Sequence, residues 1–202
     1  RRMRIYQTVH HLGCLNPLIV KPIKGVHIDL IAQSKNGSGK TGAFAIGSML
    51  RVDRNIPKTQ VLTICHVREL CLQTADVYEK LCKHSGITVT NYTMSGKSEG
   101  QQIVVTTLGK LNNALKGRKP TFDLSEVKCV VIDEADIFFK ETRNLQALTE
   151  VVTKHFSKLS QKIQYILFSA TYSEEVKKDI SSFIAHAQQI VLKKENLALN
   201  HI

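Results

Sequence analysis

The sequence predicts an α/β fold: a three-layer, doubly wound, mostly parallel sheet with helices on both faces. Three observations predict it. Short runs rich in β-branched residues alternate with stretches of helical period along most of the 202 residues. Several runs, such as Cys129-Val130-Val131-Ile132, are apolar at consecutive positions, so both faces of the strand must be covered. A Gly/Ser-rich turn separates the first run from the first helical stretch, and ligands in such sheets bind at the loops beyond the strands' carboxyl ends.

In chain order, Ile28–Ala32 is the first expected strand, followed by a helix over Thr41–Arg51. Val61–Cys65 is β-branched and closed by polar residues, which suits a second strand. Leu70, Thr74, Val77 and Leu81 then repeat at helical spacing. Thr88–Tyr92 and Ile103–Thr106 read as strands on either side of the short Gly/Ser/Lys-rich loop Gly96–Gln101. Val127–Ile132 is the next strand, and Leu145, Leu148, Val152, His155 and Leu159 mark a helix after it. Ile163–Phe168 is a further strand. Ser173 can cap the helix carrying Val176, Ile180 and Phe183, with Glu174 and Glu175 in its first turn, where the dipole favours negative charge. Gln189–Leu192 closes the set, and Lys193–Ile202 loses periodicity.

Charge is the first pointer to function. Lys and Arg number 28 against 17 Asp and Glu, a net +11 that suits a polyanionic partner, nucleic acid above all. No run of five like charges occurs, so the charge is spread over a fold and not held in a tail. Apolar residues at 43% and charged residues at 22% exclude a disordered or low-complexity chain. The apolar runs fall far short of the ~20 residues of a membrane span, so no membrane association is expected. Arg1, Arg2 and Arg4 lead into polar Tyr6-Gln7-Thr8, unlike a secretory leader, and the missing initial Met is expected of a piece of a longer protein. Cys14, Cys65, Cys71, Cys82 and Cys129 are odd in number and form no C-x-x-C pair, which argues against a zinc site or a disulfide framework. Cys65 and Cys129 fall in apolar runs as small buried hydrophobes, and an intracellular, reducing compartment, cytoplasm or nucleus, is expected.

The strongest motif is Ala32-Gln33-Ser34-Lys35-Asn36-Gly37-Ser38-Gly39-Lys40-Thr41, between a strand and a helix. Gly37 and Gly39 let backbone N–H groups turn inward on phosphate oxygens, and the following helix adds the positive end of its dipole. Lys40 would reach the β- and γ-phosphates, and the Thr41 hydroxyl would ligate Mg²⁺. Ser34 stands where the G-x-x-x-x-G-K-[ST] pattern has its first Gly. Ser34 to Thr41 are therefore the candidate ATP-binding residues, Lys35, Asn36 and Ser38 among them.

The second motif is Val130-Val131-Ile132-Asp133-Glu134-Ala135-Asp136, an apolar strand ending in adjacent carboxylates. Asp133 can hold Mg²⁺ through water, and Glu134 can orient and deprotonate an attacking water. At the end of another apolar strand, Ser169-Ala170-Thr171 offers two hydroxyls that could bond Asp136 and relay nucleotide state. Lys40, Asp133 and Glu134 are the candidate catalytic residues.

Together these motifs resemble the first RecA-like domain of a DEAD-box RNA helicase, over roughly residues 26–202. Asp133-Glu134-Ala135-Asp136 spells the family name, and Ser169-Ala170-Thr171 matches its third motif. Cys65-His66-Val67-Arg68-Glu69-Leu70 resembles Pro-Thr-Arg-Glu-Leu with its first two positions changed to His66 and Val67. Ser95-Gly96 falls near the Gly-Gly motif, with one Gly lost. Thr107-Leu108-Gly109-Lys110 resembles Thr-Pro-Gly-Arg, with Leu for Pro and Lys for Arg. The spelling of the phosphate loop looks most like the subfamily that remodels messenger ribonucleoprotein at nuclear pores. The family's adenine-reading Gln has no clear counterpart: His11 and Leu12 occupy its expected place, and Gln7 is the nearest candidate.

The resemblance implies a RecA-like P-loop domain over residues 25–195. It would follow an N-terminal segment, 1–24, with a degraded adenine-recognition region, and 196–202 would begin a linker to a second RecA-like domain. It implies ATP and Mg²⁺ as ligands and sequence-independent RNA contacts from Arg68, Gly96, Thr107, Gly109 and Lys110, whose group types grip phosphate without reading bases. It places the Ile163–Phe168 strand between the phosphate-loop strand and the strand ending at Asp133. His66 is assigned no role. The second RecA-like domain and regulatory proteins are the expected partners besides RNA. Two alternatives stay open: another P-loop NTPase, though no Asn-Lys-x-Asp guanine motif occurs, and a non-catalytic RNA-clamping module.

Overall fold

A computed structural model describes residues 28–34, 37–116, 121–184 and 186–191. Seven strands form one sheet: β1 (Leu30–Gln33), β2 (Val61–Cys65), β3 (Val89–Asn91), β4 (Ile103–Thr107), β5 (Cys129–Ile132), β6 (Gln164–Ser169) and β7 (Gln188–Val191). Their order across the sheet is β3-β4-β2-β5-β6-β1-β7, and every pairing is parallel. Seven α-helices accompany them among the described residues: α1 (Lys40–Met49), α2 (Arg68–Cys82), α3 (Tyr92–Ser95), α4 (Leu108–Leu115), α5 (Ala135–Lys140), α6 (Thr142–Lys154) and α7 (Glu174–Phe183).

The consecutive apolar residues of the strands are explained by two separate cores. In β5, Val130 and Ile132 join a core with α4, α5, α6 and α7, while Cys129 and Val131 join a second with α1 and α2. Side chains alternate across a strand, so a sheet covered on both faces needs apolar residues at every position. β6 lies between β5 and β1, in register Ile132↔Leu167 and Gln33↔Ser169, as the resemblance implies. The chain order reverses about this part of the sheet, and the carboxyl ends of β1, β5 and β6 emerge side by side.

Several boundaries differ from the sequence expectation. β1 starts two residues later than Ile28, because Asp29 instead turns its carboxylate to the Tyr165 N–H. Tyr92 is not a strand residue: it opens α3, whose start is capped by the Asn91 side chain accepting from the Thr93 N–H. The expected helix to Leu159 stops at Lys154 and gives way to a 3₁₀ turn at Phe156–Lys158. α1 ends at Met49, and Leu50 to Val52 continue as turns onto the carbonyls of Ile46, Ser48 and Met49. On α2 the buried stripe is Cys71, Thr74, Ala75, Tyr78 and Cys82, one residue on from Leu70, Val77 and Leu81, which are only partly covered. The Ser173 cap is present, its hydroxyl accepting from the Val176 N–H at 3.3 Å. Cys65 and Cys129 are fully buried and unpaired, as expected. Among the described residues no helix is long and apolar enough to cross a membrane.

Candidate functional site

The phosphate-loop residues sit where β1 ends beside β6. Lys35 and Asn36 lie outside the described residues, as do Gln7, His11 and Leu12 and the segments 1–24 and 196–202. The Ser34 N–H bonds the Ser169 carbonyl at 3.0 Å, which pins the start of the loop to the neighbouring strand. The Ser34 hydroxyl, 3% exposed, donates to the Ser38 hydroxyl across the loop. That bond gives a local reason for Ser in place of the pattern's first Gly. Gly37 (φ 75°) and Gly39 (φ 91°) hold the left-handed backbone that the motif needs of glycine, and Gly39 stands at the N-terminus of α1.

Lys40 is buried, and its ammonium donates to the Ser34 carbonyl at 2.9 Å. Burial lowers its pKa, while the charges of Asp133, Glu134 and Asp136 act in the opposite direction. The amine is therefore already turned into the concave side of the loop, close to the acidic cluster at the end of β5. Thr41 follows in the first turn of α1, half-buried.

Asp133 extends the β5 ladder, its N–H bonding the Ile64 carbonyl at 3.1 Å. Its Oδ1 accepts from the Glu134 N–H at 3.0 Å. Burial, and then the charge of Glu134, push its pKa up to about 6, against the opposing charges of Lys40 and His66. A buried carboxylate held short of full compensation is a ready ligand for a cation. Among the described residues no group of three or more His, Cys, Asp or Glu is gathered as a protein-built metal cage. The donor set present, one carboxylate and a nearby hydroxyl, fits a hard cation that takes its remaining ligands from phosphate and water.

Glu134 is the only non-glycine residue with positive φ among the described residues, at φ 54° and ψ 47°. A glutamate in that region stores strain of order 1–3 kcal/mol, and such residues cluster at functional sites. Asp136 is a hub. Its Oδ1 accepts from the Ser169 hydroxyl and its Oδ2 from the Thr171 hydroxyl at 3.0 Å, while Lys140 pairs with it at 3.3 Å. Burial works against its charge, but the bonds from Ser169, Thr171 and Lys140 outweigh it and hold the carboxyl below its usual range. The hydroxyl–carboxylate contact expected from the third motif is thus present.

The five expected RNA-facing residues lie on the same carboxyl edge, beyond β2, β3 and β4. Arg68 opens α2 and its guanidinium donates to Met94 Sδ. Gly96 ends α3 with φ 62°. Thr107 caps α4, accepting from the Lys110 N–H at 3.4 Å, and Gly109 lies in the first turn of that helix. Lys110 places its ammonium 5.9 Å from the centre of the Tyr92 ring. These residues lie along the same carboxyl edge as the phosphate loop but are separated from it by β5 and β6.

The sequence reasoning missed His66. Its Nδ1 lies 2.8 Å from Glu134 Oε2, with both side chains about a quarter exposed. The signal lay in the strand register: Ile64 pairs with Ile132, so two residues further on His66 comes level with Glu134. Met94 and Tyr92, which hold Arg68 and Lys110, were also unassigned.

The comparisons with known proteins bear on the family and the fold. A family model described as DEAD/DEAH box helicase matches residues 18–179. The chain is 34% identical over 196 residues to the DEAD-box ATP-dependent RNA helicase 38 of Oryza sativa subsp. japonica, covering 92% of this chain and 38% of that protein. It is 33% identical to the ATP-dependent RNA helicase dbp5 of Schizosaccharomyces pombe over 178 residues, 86% of this chain and 34% of the relative. The chain thus spans little more than a third of the length of these curated relatives. Among solved structures, S. cerevisiae Dbp5 bound to RNA and ADP BeF3 superposes with a TM-score of 0.77 at 27% identity, covering 90% of this chain and 45% of that one. A DEAD box protein from Methanococcus jannaschii matches with a TM-score of 0.75 at 23% identity, over 91% of this chain and 49% of that one, and shows the shared fold.

Proposed function

The chain belongs to the DEAD/DEAH box helicase family, and on that footing we propose that it is the ATP-binding, first RecA-like half of an ATP-dependent RNA helicase. The observation that carries this reading is the convergence of Lys40, Asp133, Glu134 and the Asp136–Ser169–Thr171 hub at the adjacent ends of β1, β5 and β6. The RecA-like unit spans 25–195, with residues 1–24 ahead of it and 196–202 leading toward a second RecA-like half. The length of the relatives supports such a second half.

In this reading the amides from Gly37 to Thr41 and the Lys40 ammonium hold the β- and γ-phosphates of ATP. Lys40 exchanges its bond to the Ser34 carbonyl for phosphate oxygens, at the same place in the loop. Thr41 and Asp133 would hold Mg²⁺, which supplies neutralisation of charge on the phosphates. Glu134 accepts the proton of the attacking water. Asp136, Ser169 and Thr171 tie the end of β5 to the end of β6, so a shift at one strand end is transmitted to the other.

RNA lies along Arg68, Gly96, Thr107, Gly109 and Lys110, held by its phosphates without regard to sequence. The structure of S. cerevisiae Dbp5 bound to RNA and ADP BeF3, which has a similar fold, supports both ligand assignments. The likeness to the ATP-dependent RNA helicase dbp5 of S. pombe supports the helicase reading, and the spelling of the phosphate loop points to messenger ribonucleoprotein remodelling in the cytoplasm or nucleus, with regulatory proteins as further partners. Calorimetry with MgADP tests the nucleotide site: Lys40→Ala should abolish binding, and unchanged affinity in that variant would sink the assignment.

A further inference from the structure

We propose that His66 is a positioning residue for Glu134, fixing the carboxylate in the orientation from which it meets the attacking water. This rests on the hydrolytic reading above. Glu134 has its backbone locked in the left-handed region at the start of α5, so the direction of its Cα–Cβ bond is set. What remains free is the rotation of a three-bond side chain that is only about a quarter exposed. A general base must hold its oxygen within hydrogen-bond reach of the proton it takes, and loss of that order is costly in rate.

His66 supplies the restraint. It follows β2 directly, and the parallel register brings it level with Glu134. Its Nδ1 approaches Oε2 to 2.8 Å. This nitrogen is shielded from solvent and makes no hydrogen bond in the ring's present orientation, although Oε2 lies within hydrogen-bonding distance of it. The broad χ2 well of an imidazole leaves the ring room to turn its Nδ1 toward that oxygen. Burial of an unsatisfied ring nitrogen costs free energy, and Glu134 Oε2, 2.8 Å away, is the acceptor within reach that can relieve it. In the Pro-Thr-Arg-Glu-Leu pattern that this segment resembles, Pro occupies the place of His66, and Pro has no side-chain donor.

The test uses the 202-residue chain with carbon-13 in its glutamate side-chain carboxyls, observed by NMR. The Glu134 signal is identified by its loss in Glu134→Gln. In His66→Ala it should move toward the positions of exposed glutamates. Asn carries an amide nitrogen near the place of imidazole Nδ1, and Gln near that of Nε2. His66→Asn should therefore restore the signal and His66→Gln should not. MgADP affinity should be lost in Lys40→Ala and unchanged in His66→Ala. An unmoved Glu134 signal in His66→Ala, or equal rescue by Asn and Gln, with MgADP binding still lost in Lys40→Ala, overturns the positioning role alone. Retained MgADP binding in Lys40→Ala overturns the nucleotide reading and with it the purpose assigned to the contact.

Discussion

Asp133 is 6% exposed and Glu134 sits in a strained backbone conformation, so two neighbouring carboxylates both lower the stability of the chain that carries them. For Asp133 the sign of the pH effect follows from its raised pKa. A carboxyl with a folded pKa near 6 against an ordinary 3.8 binds its proton more tightly when folded. Its contribution to stability is therefore fully present below pH 3.8 and is lost as pH rises through about 6. The loss is on the order of 3 kcal/mol, at about 1.4 kcal/mol per pKa unit. Asp133→Asn should accordingly raise the melting temperature at pH 8, by roughly 2–4 °C for each kcal/mol in a chain of this size. The gain should shrink at pH 5, and melting curves of both proteins at the two pH values check it; an equal gain at both would show that charge is not the cause. The motif residues were legible in the sequence because phosphate binding demands fixed types at fixed spacing. The His66–Glu134 approach was not, because it depends on which strand β2 lies beside. The strain at Glu134 was equally hidden, since glutamate gives no local hint of a left-handed backbone.

One buried hydroxyl ties both helices of the α1–α2 face to the sheet at once. Tyr78 of α2 is fully buried, and its hydroxyl lies 2.8 Å from that of Ser48 in α1 and 3.0 Å from that of Thr63 in β2. Burial and not the two bonds dominates its titration, driving the phenol well above its usual range. Tyr78→Phe keeps the ring's packing against Phe44 but leaves the Thr63 hydroxyl short of a partner. Such a buried orphan costs about 1–3 kcal/mol, so the urea midpoint should fall with no change in slope. A midpoint equal to wild type would show that the network contributes nothing. The same helix shows where periodicity reaches its limit. Of Leu70, Thr74, Val77 and Leu81, which mark the right helix, only Thr74 lies in the stripe that faces the sheet, beside Cys71, Ala75, Tyr78 and Cys82. Small or part-polar residues carry little hydrophobic signal, although they allow close approach to a flat sheet. The strands were legible to within one or two residues at each end, and the central ones best, because a two-sided core forces unbroken apolar runs there. Helix ends at Met49 and Lys154 were not, because no Gly or Pro marks them.

A net charge of +11 does not by itself locate a nucleic-acid surface, and the ion pairs sharpen the picture. Lys58, Lys80, Lys140, Lys154 and Lys177 are each paired with an Asp or Glu. Exposed pairs of this kind add little stability, yet they cancel local field. Arg68 and Lys110 are in none of these pairs; they rest on Met94 and on the Tyr92 ring, contacts that leave their charge uncancelled. Uncompensated positive charge is thus kept at the carboxyl edge of the sheet, beyond β2 and β4 and across β5 and β6 from the phosphate loop. Each phosphate contact on a single strand adds about 0.7 to the slope of log affinity against log salt, through release of counterions. Arg68→Ala with Lys110→Ala should therefore lower that slope by about 1.4 when binding of a labelled single-stranded RNA is followed across a salt series. The control removes equal charge elsewhere: Lys80→Ala with Lys154→Ala, both already paired on helix surfaces, should leave the slope at its wild-type value. The same flattening in both double variants would mean that RNA responds to total charge alone, and the edge beyond β2, β3 and β4 would lose its claim to be the binding surface.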